Sequence, residues 1–391
     1  MKWETAKLGD YIDILSGYAF KSRDFIDNGI PVIKIKNITP PNVSLDDLSF
    51  VSDETAEKAH KYLLNYNDIL IALTGSHINQ MASVVGRVAR VKYNQPSLLN
   101  QRVGKIIAND NSKCDIDYVY YYLSQDDIKI KLATKAGGAA NQANISPSDV
   151  KALDIPFPEY DTQKMISSIL LSYDALVENN QKQIKLLEEA AQRLYKEWFV
   201  DLRFPGHETT PIVDGVPEGW KHGKLYEIAE FKRGKTITKS QAITGNIPVV
   251  SGGLEPAYYH NESNTTAPVI TVSGSGANAG FTRLYYTNVF ASDCSFLDCN
   301  SSKYLYFIYC FLQNNKEELN SLRKGSAQPH VYAKDINAMR LYIPNNHIME
   351  LFCKRTGELY ENVKILTMQI QNLQEARDRL LPKLMNGEIE V

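Results

Sequence analysis

Apolar positions along this chain follow two different periods. Short runs at Pro31 to Ile35, Ile69 to Leu73, Val84 to Val91 and Val269 to Val272 are bounded by Gly, Asn and Ser, the pattern of β-strands. The aromatic-rich runs Tyr118 to Leu123 and Tyr304 to Phe311 are short enough for either element and are read as helices. Ser146-Pro147-Ser148-Asp149 places a capping hydroxyl before Pro at the first helical position, which predicts a short helix leading into a strand at Leu153 to Phe157.

The second period is the heptad. Leu170, Tyr173, Val177, Asn180, Ile184, Leu187, Ala191, Leu194 and Trp198 keep a 3-4 spacing, and so do Leu359, Val363, Leu366, Ile370, Leu373 and Leu380, with Arg377 off the pattern. Stripes this narrow predict a coiled-coil seam, with Val177, Asn180, Ile184, Leu187 and Leu194 facing Val363, Leu366, Ile370, Leu373 and Leu380. A polar Asn180 in the seam costs stability and fixes register. The first helix, about Thr162 to Phe199, spans roughly 57 Å at 1.5 Å per residue.

Comparison of the chain with itself shows a duplication. Trp3, Lys7, Leu8, Gly17 and Ile30-Pro31-Val32 recur as Trp220, Lys224, Leu225, Gly234 and Ile247-Pro248-Val249, all 217 positions on, as 220 is from 3. Farther along, Gln142, Ile145, Asp149, Val150 and Ala152 match Gln328, Val331, Asp335, Ile336 and Ala338, now 186 positions on, as 328 is from 142. The same offset carries through the two heptad segments, so the second copy is the shorter. Pro and Gly mark the join, from Phe204-Pro205-Gly206 to Pro217-Glu218-Gly219. The expected fold is α+β: two β-rich mixed domains, each followed by a long helix, the two helices forming an antiparallel coiled coil with pseudo-two-fold symmetry. The boundaries expected are 1–160, 161–206, 207–345 and 346–391.

Composition adds exclusions. With 391 residues, 43% apolar and 23% charged, the chain suits several domains with real cores and neither disorder nor a fibre. No apolar run approaches a membrane span, and Lys2, Glu4, Lys7 and Asp10 interrupt any export signal, so a cytoplasmic location is expected. The five cysteines read as reduced thiols, with Cys294 and Cys299 as two small core residues rather than half of a zinc site. Gly234-Lys235-Thr236 lacks the upstream Gly of a phosphate-binding loop and is read as a turn; Asp149-Val150-Lys151 is read as a helix start rather than half of a nuclease site.

The net charge of -2 gives no global footprint for nucleic acid, so such a role must rest on local patches. Residues 1 to 160 carry 18 basic and 19 acidic groups, and residues 211 to 345 carry 13 and 11. Lys34 and Lys36 alternate with Ile33 and Ile35, which would set both ammonium groups on one strand face; Arg87, Arg90, Lys92, Arg102 and Lys105 follow. The second copy offers Lys232, Arg233, Lys235, Arg283, Arg323 and Lys324. Two polar loops recur in both copies. Gly137 to Gln142, with Asn141 and Gln142, matches Gly325 to Gln328, and Thr74-Gly75-Ser76, followed by Asn79 and Gln80, matches Ser273 to Gly276, followed by Asn278. Asn and Gln read adenine in a major groove, and Ser76 and Ser275 add hydroxyl donors. The DNA-contact candidates are thus Lys34, Lys36, Ser76, Asn79, Gln80, Arg102, Asn141, Gln142, Lys232, Arg233, Lys235, Ser275, Asn278, Lys324 and Gln328, with no catalytic or metal-binding residue.

These features together resemble the specificity (S) subunit of type I restriction-modification systems. The resemblance rests on the Trp3 and Trp220 starts, Ile-Pro-Val at 30 and 247, Asn67-Asp68-Ile69-Leu70-Ile71, and Ile155-Pro156-Phe157-Pro158 before Gln163. It continues through Leu194 to Phe199, Pro217-Glu218-Gly219-Trp220 and the closing Leu381 to Ile389. The second copy departs at Ile343-Pro344-Asn345-Asn346, without the second Pro or the Gln. The resemblance implies two target-recognition domains that read an asymmetric bipartite site on double-stranded DNA, with no catalysis on this chain. It also implies assembly with two adenine-methylating methyltransferase (M) subunits that bind S-adenosylmethionine and two restriction (R) subunits that use ATP and Mg. A self-contained DNA methyltransferase or nuclease is the competing reading.

Overall fold

The computed structural model describes residues 3–76, 85–137, 143–325 and 328–391. The chain divides into two compact units, Met1–Val177 with Asn372–Val391, and Glu178–Gln371. These units do not follow the boundaries at 160, 206 and 345, because each takes a stretch of both long helices into itself.

Within the first unit, strand Thr5–Lys7 pairs antiparallel with Asp154–Pro156, so the start and end of the module close on each other. A mixed sheet runs in the order Ile12–Ser16, Val103–Ala108, Ile69–Ala72, Val88–Arg90, Asn42–Val43 and Ile38–Thr39. A second sheet orders Leu98–Leu99, Ile30–Ile33, Ser49–Val51 and Phe25–Ile26, its first pair parallel. The all-buried run Ile69–Ala72 is central to the first sheet, which is why it reads as continuous rather than alternating.

The aromatic run is a helix, Ile116–Ser124, begun by Asp115, whose carboxylate accepts from the Asp117 N–H. Its tyrosines are buried and use their hydroxyls as ties: Tyr118 donates to the Pro156 carbonyl at 2.7 Å, and Tyr122 to that of Asp154 at 2.5 Å. Pro147–Lys151 is the expected capped helix. Ser146 and Asp149 form a reciprocal capping box, and the Ser146 hydroxyl and N–H hold the Asp149 carboxyl below its ordinary range. Asp149 is therefore occupied by the helix start, as its sequence context predicted.

The second unit repeats this plan with fewer strands. Lys221–Lys224 pairs antiparallel with Arg340–Ile343. One sheet orders Lys232–Arg233, Cys294–Asp298, Val269–Ser273 and Thr282–Tyr285, and another orders Tyr258–His260, Ile247–Val250 and Phe290–Ala291, with the parallel pair again present. Nothing described in this unit corresponds to the edge pair Ile38–Thr39 and Asn42–Val43, which accounts for part of the shorter copy. Leu305–Asn314 is the second aromatic helix. The join between copies carries a hairpin, Ile212–Val213 with Val216–Pro217, turned through Asp214 and Gly215, both at positive φ.

Gly17 and Gly234, 217 positions apart like the other early matches, hold the same place. A Cβ on Gly17 would lie 2.3 Å from the Leu99 carbonyl oxygen, and one on Gly234 2.3 Å from that of Ser292. Lys235 follows Gly234, its N–H bonded to the Ala291 carbonyl at 2.9 Å. Gly234-Lys235-Thr236 is thus not a turn but the stretch that leaves strand Lys232–Arg233, with Gly234 pressed against its neighbour.

The long helices are Tyr160–Tyr195, extended by a π turn at Lys196–Val200, and Asn346–Met385. Gln163, in the first turn of the first, ties that helix to the segment ahead of the aromatic helix. Fully buried, it donates to the Lys113 and Pro158 carbonyls and accepts from the Asp115 N–H. At the corresponding place 186 residues on, Met349 is buried instead, and Asn345 caps the helix through the Ile348 N–H.

In the second unit the helices run antiparallel: Asn180 donates to the Gln369 side chain at 3.2 Å, and the Tyr195 and Phe352 rings lie 6.0 Å apart. Asn180 is 7% exposed, and Val363 is buried, while Ile184, Leu187 and Leu194 are partly buried against the unit's core. Leu366 and Ile370 are half-buried. In the first unit, Leu170 and Val177 are buried, Leu373 and Leu380 half-buried, and Arg377 joins the helices by a 2.6 Å bond to Asp174, which also accepts from Tyr121. The stripes are wider than the heptad predicts. Ile166, Tyr195, Phe199, Phe352 and Tyr360 are buried as well, because the helix ends face module cores and only the middle acts as a two-helix seam.

Candidate nucleic-acid interface

The two polar loops marked in each copy are joined to one another in the fold. In the first unit, Thr74–Gly75 pairs antiparallel with Ala143–Asn144, and the Thr74 hydroxyl donates to the Asn144 side chain at 2.8 Å. In the second, Ser275 bridges to His330, which bridges in turn to Lys324. The next backbone bonds are also shared: Ile145 N–H to the Leu73 carbonyl at 3.0 Å, and Val331 N–H to that of Gly274 at 3.0 Å. Among the described residues, each module therefore joins the start of its Gly/Ser loop to the residues just before its short helix in one polar ridge. Asn79, Gln80, Asn141 and Gln142 lie outside the described residues.

Two of the basic candidates are placed differently from expectation. The strand holding Ile33 ends there, because the Asn37 side chain accepts from the Lys34 N–H and starts a 3-10 turn at Ile35–Asn37. Lys34 and Lys36 consequently share no strand face. The Lys34 ammonium sits 3.7 Å from the centre of the Phe25 ring, and burial followed by the Lys36 charge lowers its pKa. Lys36 is paired with Asp47 at 2.5 Å. Lys324 is paired with Asp335 at 2.8 Å, although it borders the ridge.

Other basic groups serve the fold. Arg90 is buried, paired with Asp117 and packed on the Tyr120 ring; Lys105 is paired with Asp68 at 2.6 Å; Arg283 and Arg323 donate to the Leu254 and Ala279 carbonyls. By contrast, Arg102, Lys232, Arg233 and Lys235 are exposed, and none has an ion-pair partner among the described residues. Lys232 and Arg233 lie on the strand opposite Phe296 and Ser295. Arg233 lines a small cleft of about 30 Å³ beside the ridge, together with Asp293, His330 and Tyr332. Gln328 is exposed and Asn278 half-buried; Ser275 donates its hydroxyl to Asp293. Cys294, also in the cleft, is an inert thiol that burial pushes up to about 12, whereas Cys299 is exposed rather than a core residue.

Asp293, His330 and Tyr332 were not marked by sequence reasoning. The His330 and Tyr332 rings stack at 6.0 Å and 14°. For His330 the signal was the alignment of the copies, since it stands 186 positions from Asn144, as 330 is from 144; Asp293 carried none.

Unpaired and paired cations should behave differently on DNA. Replacing Lys232, Arg233 and Lys235 together by Gln is expected to reduce the slope of log affinity against log salt by roughly two to three, at about 0.9 for each phosphate left without its cation. Lys36→Gln with Lys324→Gln should change it by less than about one, because Asp47 and Asp335 already neutralise those charges. Anisotropy titrations of the assembled complex on duplex DNA measure both; equal slopes in the two variants would refute the distinction.

A family model for the type I restriction modification DNA specificity domain matches residues 1–189 and 217–372. The chain belongs to the type I restriction-modification DNA specificity family. The two matched stretches coincide with the two copies of the repeat. The chain is similar along its whole length to the type I restriction enzyme MjaIX specificity subunit of Methanocaldococcus jannaschii, 26% identical over 100% of this chain and 94% of that protein. It is also similar to the StySPI specificity subunit of Salmonella potsdam, 20% identical over 99% and 89%. The crystal structure of a type I restriction-modification S subunit from M. genitalium shares the fold, with a TM-score of 0.59, 18% identity and coverage of 98% and 96%.

Proposed function

We propose that this member of the specificity family selects the DNA target of a type I restriction-modification complex, reading an asymmetric bipartite site with one module per half. The carrying observation is the duplicated ridge, built on the same backbone bonds in two modules that differ in their exposed side chains. Duplicated scaffolds with unlike surfaces suit two unlike half-sites. On this reading, the chain performs no chemistry itself. Two M subunits carry S-adenosylmethionine and methylate adenine, and two R subunits use ATP and Mg. Exposed Leu186, Ile365 and Met368 on the helices, 63%, 46% and 51% accessible, support a protein partner there.

The test is to map methylated adenines in cells that express the M subunit with and without this chain. A bipartite methylated motif that requires the chain is expected. Methylation of the same motif by M alone, or methyl transfer from radiolabelled S-adenosylmethionine by the isolated chain, would refute the reading. Among the described residues no helix is long and apolar enough to cross a membrane.

A further inference from the structure

The two modules place opposite charges at one equivalent position. Gly17 N–H bonds to the Val103 carbonyl at 3.1 Å, and Gly234 N–H to that of Cys294 at 2.8 Å. One residue earlier, the Arg102 carbonyl accepts from Leu73 N–H at 3.0 Å, and the Asp293 carbonyl from Gly274 N–H at 3.1 Å. Leu73 and Gly274 are themselves the residues bonded to Ile145 and Val331 behind the short helices. Arg102 and Asp293 thus occupy the same step of the same backbone chain, where the first sheet meets the polar ridge.

Their side chains are held ready for different partners. The Arg102 guanidinium is exposed and has no partner among the described residues. Asp293 accepts the Ser275 hydroxyl on Oδ2, which orients the carboxylate, while Oδ1 accepts no hydrogen bond among the described residues and the residue borders the cleft with Arg233. On a surface that approaches phosphates, a carboxylate is repelled unless it meets a donor. In the major groove, the donor that Asp matches is the cytosine N4 amino group, and Arg matches guanine O6 and N7.

Resting on the reading of the chain as a DNA selector, we propose that positions 102 and 293 are one specificity-determining position. Arg102 reads a guanine in the first half-site, and Asp293 reads a cytosine in the second. The ridge and the Gly17 or Gly234 crossing present both residues at the same backbone step, so the module scaffold fixes where the position stands and the side chain selects the base.

The experiment is methylation mapping of the assembled methyltransferase complex carrying wild-type chain, Arg102→Gln or Asp293→Asn, with thermal melting of each. Arg102→Gln is expected to relax one G in the first half-motif by about tenfold or more and to leave the second half unchanged. Asp293→Asn should relax one C in the second half-motif only; if it melts below the assay temperature, Asp293→Ser tests the same position. Unchanged stringency, loss of methylation uniform across bases, or a wild-type half-motif without the expected G or C would overturn the assignment. Absence of any chain-dependent motif with wild-type protein would instead overturn the functional reading on which it rests.

Discussion

Alanine at Gly17 or at Gly234 is expected to destabilise the protein by about 3 kcal/mol or more, the top of the usual overpacking range. Neither glycine needs a positive φ, so the cost is steric. The added Cβ would lie 2.3 Å from a backbone carbonyl oxygen in both cases, and a backbone cannot rotate aside as a flexible side chain can. The strand would have to lift from its neighbour, breaking the Gly17 to Val103 or the Gly234 to Cys294 hydrogen bond and disturbing the Arg102 or Asp293 step beside it. Gly137 is the control, because a Cβ there meets nothing within 4 Å and its conformation is ordinary. Thermal unfolding followed by circular dichroism should show a midpoint lowered by roughly 10 °C for Gly17→Ala and by less than about 2 °C for Gly137→Ala. Equal midpoints would show that the close strand crossing is not a constraint in solution.

Exchange of the first recognition module for that of another family member should replace one half of the methylated motif and leave the other half letter for letter. Each unit has its own buried core, and in each the first strand pairs with the last, so a module can be exchanged as one body. The junction decides whether the hybrid folds. A cut at residue 160 separates Gln163 from the Lys113 and Pro158 carbonyls and the Asp115 N–H that it satisfies inside the protein. Leaving those groups unpaired would cost several kcal/mol, about 1 to 3 for each. The graft should therefore either keep this set together or take it whole from the donor, and should retain a Tyr121 equivalent for Asp174. Methylation mapping with the matching M subunit gives the result. A change in both half-motifs would mean that each module contributes to both.

Much of the architecture was legible because it depends on local chemistry or on repetition. The Ser146 cap with Pro147, the helices at Tyr118 and Tyr304, the strand at Ile69 and the polar Asn180 are set by residues close in sequence, and the structure forms each of them. Lys34 and Lys36 were misplaced because one side-chain acceptor, Asn37, outcompetes a further step of strand. The width of the helix stripes was missed because it depends on cores built from distant segments.

The sequence by itself determined the duplication, the helix seam and the absence of a global excess of positive charge. Tertiary structure alone decided which charges are available. Lys36, Lys324, Arg90 and Lys105 are spent on carboxylates, whereas Arg102, Lys232, Arg233 and Lys235 are exposed without an ion-pair partner among the described residues. It also decided that Arg102 and Asp293 are equivalents, since deletions between the copies erase their alignment and only the hydrogen bonds around Gly17 and Gly234 restore it. The physical reason is the same in both cases: strand pairing and charge pairing join residues far apart in the chain, and their partners are chosen by three-dimensional distance rather than by spacing along it.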